Sequence, residues 1–461
     1  MAKYLIVGAG PAGLTAGLSL VEKGKPVTIL EQGKQVGGIS KTVSYKKYRF
    51  DIGGHRFFTK NQEVANLWKK IMPKDFTEKN RISRIFYQDK FYNYPLEPLN
   101  ALANLGPFKA ATAFLSHLKA KSNPIKPEKT LEDVYINSFG QYLYDKFFRI
   151  YSTRLWGIPP HQMAPDWGKA RVGKLSLYNA VKDAFFPKKA EIKSLIKRFH
   201  YPKFGPGQMW EAFAQKIKEG EGEILLNSKV LKINHVGNKV VSVATQDGRQ
   251  FKLDQLISSM PMKDLINALE PPPPAGILKA ANELKYRDYI LVALIIKAKN
   301  IFPDQWIYIQ DPGFMNVRVQ NVNNWSLAMV GDKNKTVLGM EYVVSEGDPL
   351  WQMKDWELIG LAKGEAHKLG FAKIEQVVDA RVVRELKVYP VYDQNYQRYL
   401  STVKKYLSAF KNLTLIGRNG MHKYNNMDHS MLTAMLAVEN LFGAKNDLWQ
   451  VNADQEYQEK K

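Results

Sequence analysis

The residues best placed to do chemistry stand at the start of the chain, in KYLIVGAGPAGLTAGLSLVEKGKPVTILEQ, Lys3 to Gln32. Gly8, Gly10 and Gly13 keep the spacing of a phosphate-cradling turn. The first glycine permits the sharp turn, the second lets the backbone approach a pyrophosphate, and the third lets helix and strand pack closely. The helix that follows points its amide donors and the positive end of its dipole at the same place. Glu31, at the end of the second strand, is placed to accept the ribose hydroxyls of an adenosine, and its charge disfavours a 2′-phosphate there. This is a dinucleotide site, and both NAD and FAD use such a unit.

A second glycine pair follows directly, Gly37-Gly38 in QGKQVGGISKT. A glycine pair immediately after the ribose acid resembles the pattern of flavoproteins of the amine-oxidase type, in which that loop wraps around the FAD pyrophosphate. The resemblance implies FAD as the cofactor.

The elements that must position these groups can be read in order. Tyr4 to Val7 is a strand, a helix runs to about Lys23, and Val27 to Leu30 is a second strand, a complete βαβ unit. Helical patterns are expected to dominate from Asn61 to Lys197. A glycine-rich turn at Phe204 to Gly207 precedes a helix, and strands alternate with turns from Glu223 to Ser259. The tetraproline Pro271 to Pro274 reads as a boundary. Beyond it, Asp288 to Lys297, Gln305 to Gln310 and Thr336 to Val344 read as strands of a second sheet, and the chain closes with the strand Leu413 to Ile416 and a helix from about Asp428. The expected class is α/β: a Rossmann-type FAD-binding domain interleaved with a substrate domain made of a helical cap and an antiparallel sheet. The FAD domain is discontinuous, residues 1–75, 204–262 and 380–461. The cap takes 76–203 and the sheet 263–379.

Composition bounds the function. The chain has 461 residues, 45% of them hydrophobic, enough for a substantial core. With no cysteine, disulfides, thiolate nucleophiles and cysteine metal sites are excluded, and no metal is expected. The longest apolar runs, such as Ile290 to Ile296, are far shorter than a membrane span, and the opening residues run straight into a strand, so a cytoplasmic location is expected. Lysine and arginine total 67 against 44 acids, a net charge of +23, which favours anionic partners. No nucleic-acid module accompanies these charges. The basic residues fit a plain solvated surface or, as the alternative, peripheral contact with an anionic membrane at its inner face, and nothing in the sequence sets an oligomeric state.

Five stretches, FDIGGHRFF, DKFYNYPLEP, RLWGIPPHQMAPDWGKARVGKLSL, MNVRVQNVNNWS and GRNGMHKYNNMDHS, occur in an order and spacing that resemble the UDP-galactopyranose mutases, above all their fungal and protozoan branch. The resemblance implies a non-redox reaction on a nucleotide sugar such as UDP-galactose. In that family the reduced flavin N5 attacks the anomeric carbon, the nucleotide diphosphate departs, and the sugar recloses in the other ring size. It further implies that Arg171 and Arg318 bind the diphosphate, as two guanidinium forks can. Tyr94, Trp306, Tyr389 and Tyr424 would line the substrate. His55, in the turn with Gly54, would lie against the flavin, and Gly417, Arg418, Met427, Asp428 and Ser430 would contact the cofactor, the last three at a helix N-terminus whose dipole favours an anionic flavin. Glu97 and Lys60 depart from the branch, which has a glutamine and a histidine there. An ionised carboxylate cannot donate hydrogen bonds to a base. Another sugar carrier, lipid-linked included, and an amine-oxidase or desaturase reaction are the alternatives. No second glycine motif for NADPH is present, so NADPH or another external reductant must reach the flavin by another route.

Overall fold

Five short strands make the sheet that carries the first glycine loop, in the order Leu413–Leu415, Gln255–Ser258, β1 (Tyr4–Val7), β2 (Val27–Leu30), Glu223–Leu225, all parallel. They are near-continuous apolar runs, as expected of strands covered on both faces. Between β1 and β2 runs α1 (Pro11–Val21), with proline at its first position, where the missing amide hydrogen costs nothing. Ala12, Leu14, Ala16, Leu18 and Leu20 of α1 are buried among the sheet and the helices Gly207–Glu219 and Met427–Leu441. The mixed α/β architecture expected of an FAD-binding amine-oxidase-type protein is present. The computed structural model describes residues 3–94, 98–172 and 198–452.

The second large sheet has seven strands, in the order Val377–Pro390, Tyr286–Ile296, Thr336–Val344, Arg318–Asn321, Trp306–Ile309, Ser83–Tyr87, Lys90–Asn93. Every residue of Thr336–Val344 is buried. One face packs under the helix Asp355–Lys368, and the other over Phe50, Ile52, Phe199, Tyr201 and Trp325. Its neighbouring strands are antiparallel, except that Trp306–Ile309 runs parallel to Ser83–Tyr87.

That last pairing corrects the helical reading of 61–197. After the helix Gln62–Ile71 the chain forms the strands Phe76–Asn80, Ser83–Tyr87 and Lys90–Asn93 before helices resume at Pro98. The hairpin turns on Gln88 and Asp89, both at positive φ, the geometry of a tight two-residue hairpin turn. Its aromatic residues suit a half-buried pleat better than a helix face. Glu97 and the segment 173–197 lie outside the described residues, as does the side chain of Arg171.

Candidate active site

The cofactor cradle is built from backbone. Gly8 has φ of +97°, and a side-chain carbon on Gly13 would stand 1.8 Å from the Gly8 carbonyl oxygen, so the turn closes only with glycine at both positions. The second loop docks against the first: the Gly37 amide donates to the Ala9 carbonyl at 2.8 Å, and a side-chain carbon on Gly38 would meet Gly10 Cα at 3.2 Å. Two glycine backbones therefore face each other across the N-terminus of α1. The Glu31 carboxylate accepts from the amides of Ala9 and Gly33, both at 2.7 Å, which fixes it at the mouth of the same cradle. Gly417, at φ +77°, approaches Ala12 from the turn after the strand Leu413–Leu415, and its amide donates to Thr433 Oγ1 at 3.0 Å. Facing glycine backbones, a helix N-terminus and an acidic strand end fit the pyrophosphate and ribose of FAD.

Helix Met427–Leu441 begins beside this cradle, capped by Asn426 and packed along α1. Asp428 and Ser430, in its first turn, are buried, and Met427 is partly buried against the same core. Burial pushes the Asp428 carboxyl up to about 6, opposed by hydrogen bonds from backbone amides and Thr59. In the flavin turn, Gly53 has φ of +86°, and His55 Nδ1 lies 3.1 Å from the Gly53 carbonyl. That contact requires Nδ1 to carry the hydrogen and leaves Nε2 as an acceptor. Burial, then the Arg418 and Arg318 guanidinium groups, push His55 down to about 3, so its imidazole is neutral.

Arg318 joins this turn to the second sheet. A side-chain carbon on Gly53 would lie 3.3 Å from Arg318 Nη2. The guanidinium Nε donates to both Glu341 oxygens at 2.8 Å, and Nη2 lies 2.5 Å from Oε2. Glu341 is 1% exposed on the neighbouring strand, where it is paired in register with Arg318. Burial disfavours the Arg318 charge, but Glu341 outweighs it and holds the group charged well above the usual range. Nη1 stands outside this ion pair.

Tyr389 and Tyr424 stack with ring centroids 5.7 Å apart and 4° between planes. Arg418 lies under them, 4.7 Å from the Tyr424 ring centre, and donates to the carbonyls of Asn425 and Val388 at 2.8 and 3.1 Å. Trp156 meets both tyrosines and Trp167 edge-on. Arg171 stands one helical turn beyond Trp167 on the helix Asp166–Val172. Tyr94 packs on Tyr308 at 4.9 Å, and Tyr308 is the register partner of Arg318. Trp306 is buried, meets Tyr308 edge-on at 6.3 Å and stacks on Trp325 at 5.4 Å, with Arg56 over its ring.

The structure thus gathers His55, Arg318, Tyr389, Tyr424 and Arg418 beside the glycine cradle. With His55 neutral and Glu341 balancing Arg318, the Arg418 charge meets carbonyls and tyrosine rings, so these five side chains and Glu341 keep a net positive charge suited to an anionic ligand. Sequence reasoning missed Glu341, Tyr308 and Trp156. Glu341 had a usable signal, being the lone charge in VLGMEYVV, since a carboxylate inside a fully buried strand needs a cationic partner. Tyr308 and Trp156 had none, because tyrosine and tryptophan are equally at home in cores.

The family model for flavin containing amine oxidoreductases matches residues 11–375, and the chain belongs to that family. It is accordingly a flavin-dependent enzyme of the amine-oxidase superfamily, and membership implies FAD, which the cradle fits. A crystal structure of a reduced UDP-galactopyranose mutase superposes over 99% of this chain and 96% of its own, with a TM-score of 0.86 and 19% identity, which establishes the shared fold. A probable UDP-galactopyranose mutase of Klebsiella pneumoniae is 27% identical over 34% of this chain and 42% of its own. A 4,4'-diapophytoene desaturase (4,4'-diapolycopene-forming) of Methylomonas sp is 23% identical over 62% of this chain and 58% of its own. The alignments thus span less than two thirds of these relatives' lengths. Among the described residues, no helix is long and apolar enough to cross a membrane, and no group of three or more histidines and acids is arranged to hold a metal.

Proposed function

We propose that the protein is a flavin-dependent sugar mutase that interconverts the pyranose and furanose forms of a nucleotide sugar, with UDP-galactose as the leading substrate. The observation that carries this reading is Arg318, anchored by buried Glu341 next to the flavin turn, on the same cleft as the stacked Tyr389 and Tyr424. Oxidation of an amine or a carotenoid needs no fixed cation there, whereas a departing and returning diphosphate does.

Bound in its reduced form, FAD would supply a nucleophilic nitrogen to the anomeric carbon without net redox change. The chain's own residues do the rest. The glycine loops and Glu31 hold the cofactor non-covalently. The N-terminus of the helix Met427–Leu441 favours negative charge at the flavin, and neutral His55 packs there without adding a competing cation. Arg318 and Arg171 hold the diphosphate, the Tyr389 and Tyr424 hydroxyls hydrogen-bond its oxygens, and Tyr94 borders the nucleotide end. Kinship with the fungal and protozoan branch rests on the five sequence stretches, and an external reductant such as NADPH would be needed to activate the flavin. The enzyme would work in the cytoplasm.

A second reading, a flavin oxidoreductase, is favoured by the desaturase relative that aligns over 62% of the chain. Two measurements separate them. The mutase should bind UDP, with affinity falling at least tenfold in Arg318→Lys because a point charge replaces a fork. It should also keep its oxidised flavin yellow when mixed anaerobically with UDP-galactose, since a substrate that is oxidised would bleach it. Absence of UDP binding, together with peroxide release on an amine substrate, would replace the mutase by an oxidase.

A further inference from the structure

The helix Pro107–Ser122 is built inside out. Its small residues, Ala110, Ala113 and Ala120, face the protein with His117, against the helix Leu131–Phe139, while Phe108, Phe114, Leu115 and Leu118 are exposed. Phe108 is 89% exposed and Leu115 65%. A surface helix ordinarily turns its large apolar side chains to the core, because that burial is what holds it in place. Here Phe108, Ala111, Leu115 and Leu118 repeat at i, i+3, i+7 and i+10, which lines them along one outward stripe, with Phe114 at its edge.

The charges along this stretch are mostly positive. Lys109, Lys119 and Lys121 lie on the helix, and exposed Ile125, Lys126 and Lys129 follow it, with Glu128 the single acid from Pro107 to Lys129. Lysines bordering an apolar stripe can lay their stems along acyl chains and keep their ammonium groups among headgroups. We propose that this face docks the enzyme on an anionic lipid surface, with Phe108, Leu115 and Leu118 entering the interface and the lysines meeting phosphate headgroups. A second copy of the chain is the poorer occupant, since a two-fold contact would bring the same five lysines against themselves, in a protein whose net charge is already +23.

The test is flotation of the full-length, flavin-loaded protein with phosphatidylcholine vesicles with and without phosphatidylglycerol. The wild type should float with the anionic vesicles alone and be released by salt. Each lysine near the surface is worth about fivefold in partitioning, so Lys119→Glu/Lys121→Glu should weaken binding by about 25-fold or more. Phe108→Ser/Leu115→Ser should abolish flotation while melting temperature and flavin content stay at wild-type values, as both positions are exposed. Failure of the wild type to float with anionic vesicles would overturn the proposal. So would equal flotation of the wild type and both variants, which would assign binding to the basic surface at large. A wild-type dimer that Phe108→Ser/Leu115→Ser converts to a monomer in light scattering would give the face to a second copy instead.

Discussion

Tyr389 and Tyr424 lie parallel, 5.7 Å apart, and the carbonyl beside each of them, Val388 before one and Asn425 after the other, accepts a hydrogen bond from Arg418. The two tyrosines come from distant segments, and Arg418 ties them together beside the Tyr392 hydroxyl, which accepts from the Tyr424 amide at 2.6 Å. Arg418→Lys keeps the charge but loses the fork. It should cost about 1.5–3 kcal/mol, the range for hydrogen bonds to a charged group, and lower kcat more than it raises KM. Thermal unfolding and steady-state kinetics read both effects. An unchanged melting temperature would mean that the loop holds itself without Arg418.

Arg318 and Glu341 should behave as a unit. Removing either alone strands a buried charge, so Arg318→Ala and Glu341→Ala should each destabilise by about 3–5 kcal/mol. Arg318→Leu/Glu341→Leu should be more stable than either single variant and still inactive. Denaturant titration of the three proteins checks this, and additive losses would show that the two side chains are not coupled.

The two glycines of the first loop should fail differently. A side-chain carbon on Gly10 would find its nearest neighbour at Gly38 Cα, 3.7 Å away, so Gly10→Val leaves the protein folded while filling the space that a pyrophosphate needs. Gly13→Ala drives a methyl group into the Gly8 carbonyl and should cost at least about 3 kcal/mol, the upper range for overpacking. Colourless but normally stable protein is expected from the first, and poorly folded protein from the second. A yellow Gly10→Val protein would contradict FAD binding at this loop.

His55 should not titrate near neutrality. Its unfolded pKa is about 6.5 and its folded value is pushed down to about 3, so between those values the unfolded chain binds the extra proton. Its contribution to stability therefore falls as pH drops through that window. His422, pushed down to about 4 by burial, acts with the same sign. Asp51, pushed up to about 7 by burial despite hydrogen bonds from Tyr201 and Thr42, has the opposite sign: its contribution falls as pH rises from about 4 to 7. Histidine-selective NMR of the oxidised protein should show the His55 ring neutral above pH 5. A midpoint near 6.5 would restore it as an acid–base candidate.

What was legible in the sequence was local or periodic. β1, α1 and β2 follow from glycine spacing and apolar runs within one stretch, and the last helix from its first turn at Met427. The hairpin Ser83–Asn93 escaped because its strands are only five and four residues long and sit between helical segments. The site itself was half legible. Arg318 could be named, but Glu341 is its partner only because two strands pair in register across 23 residues, and Tyr308 and Trp156 reach the cleft only through tertiary packing. The outward stripe on Pro107–Ser122 was invisible for the same reason: periodicity shows that a helix has an apolar face, and only packing shows which way it turns.

The central claim is tested most directly under anaerobic conditions. Purified protein, its flavin oxidised or reduced with dithionite, is incubated with UDP-galactopyranose or UDP-galactofuranose, and the sugars are separated by chromatography. Interconversion by the reduced protein alone, without consumption of reductant, is the expected result. Absence of interconversion in a fully reduced, FAD-loaded sample would contradict UDP-galactose as the substrate and redirect the search to other sugar carriers or to a net oxidation.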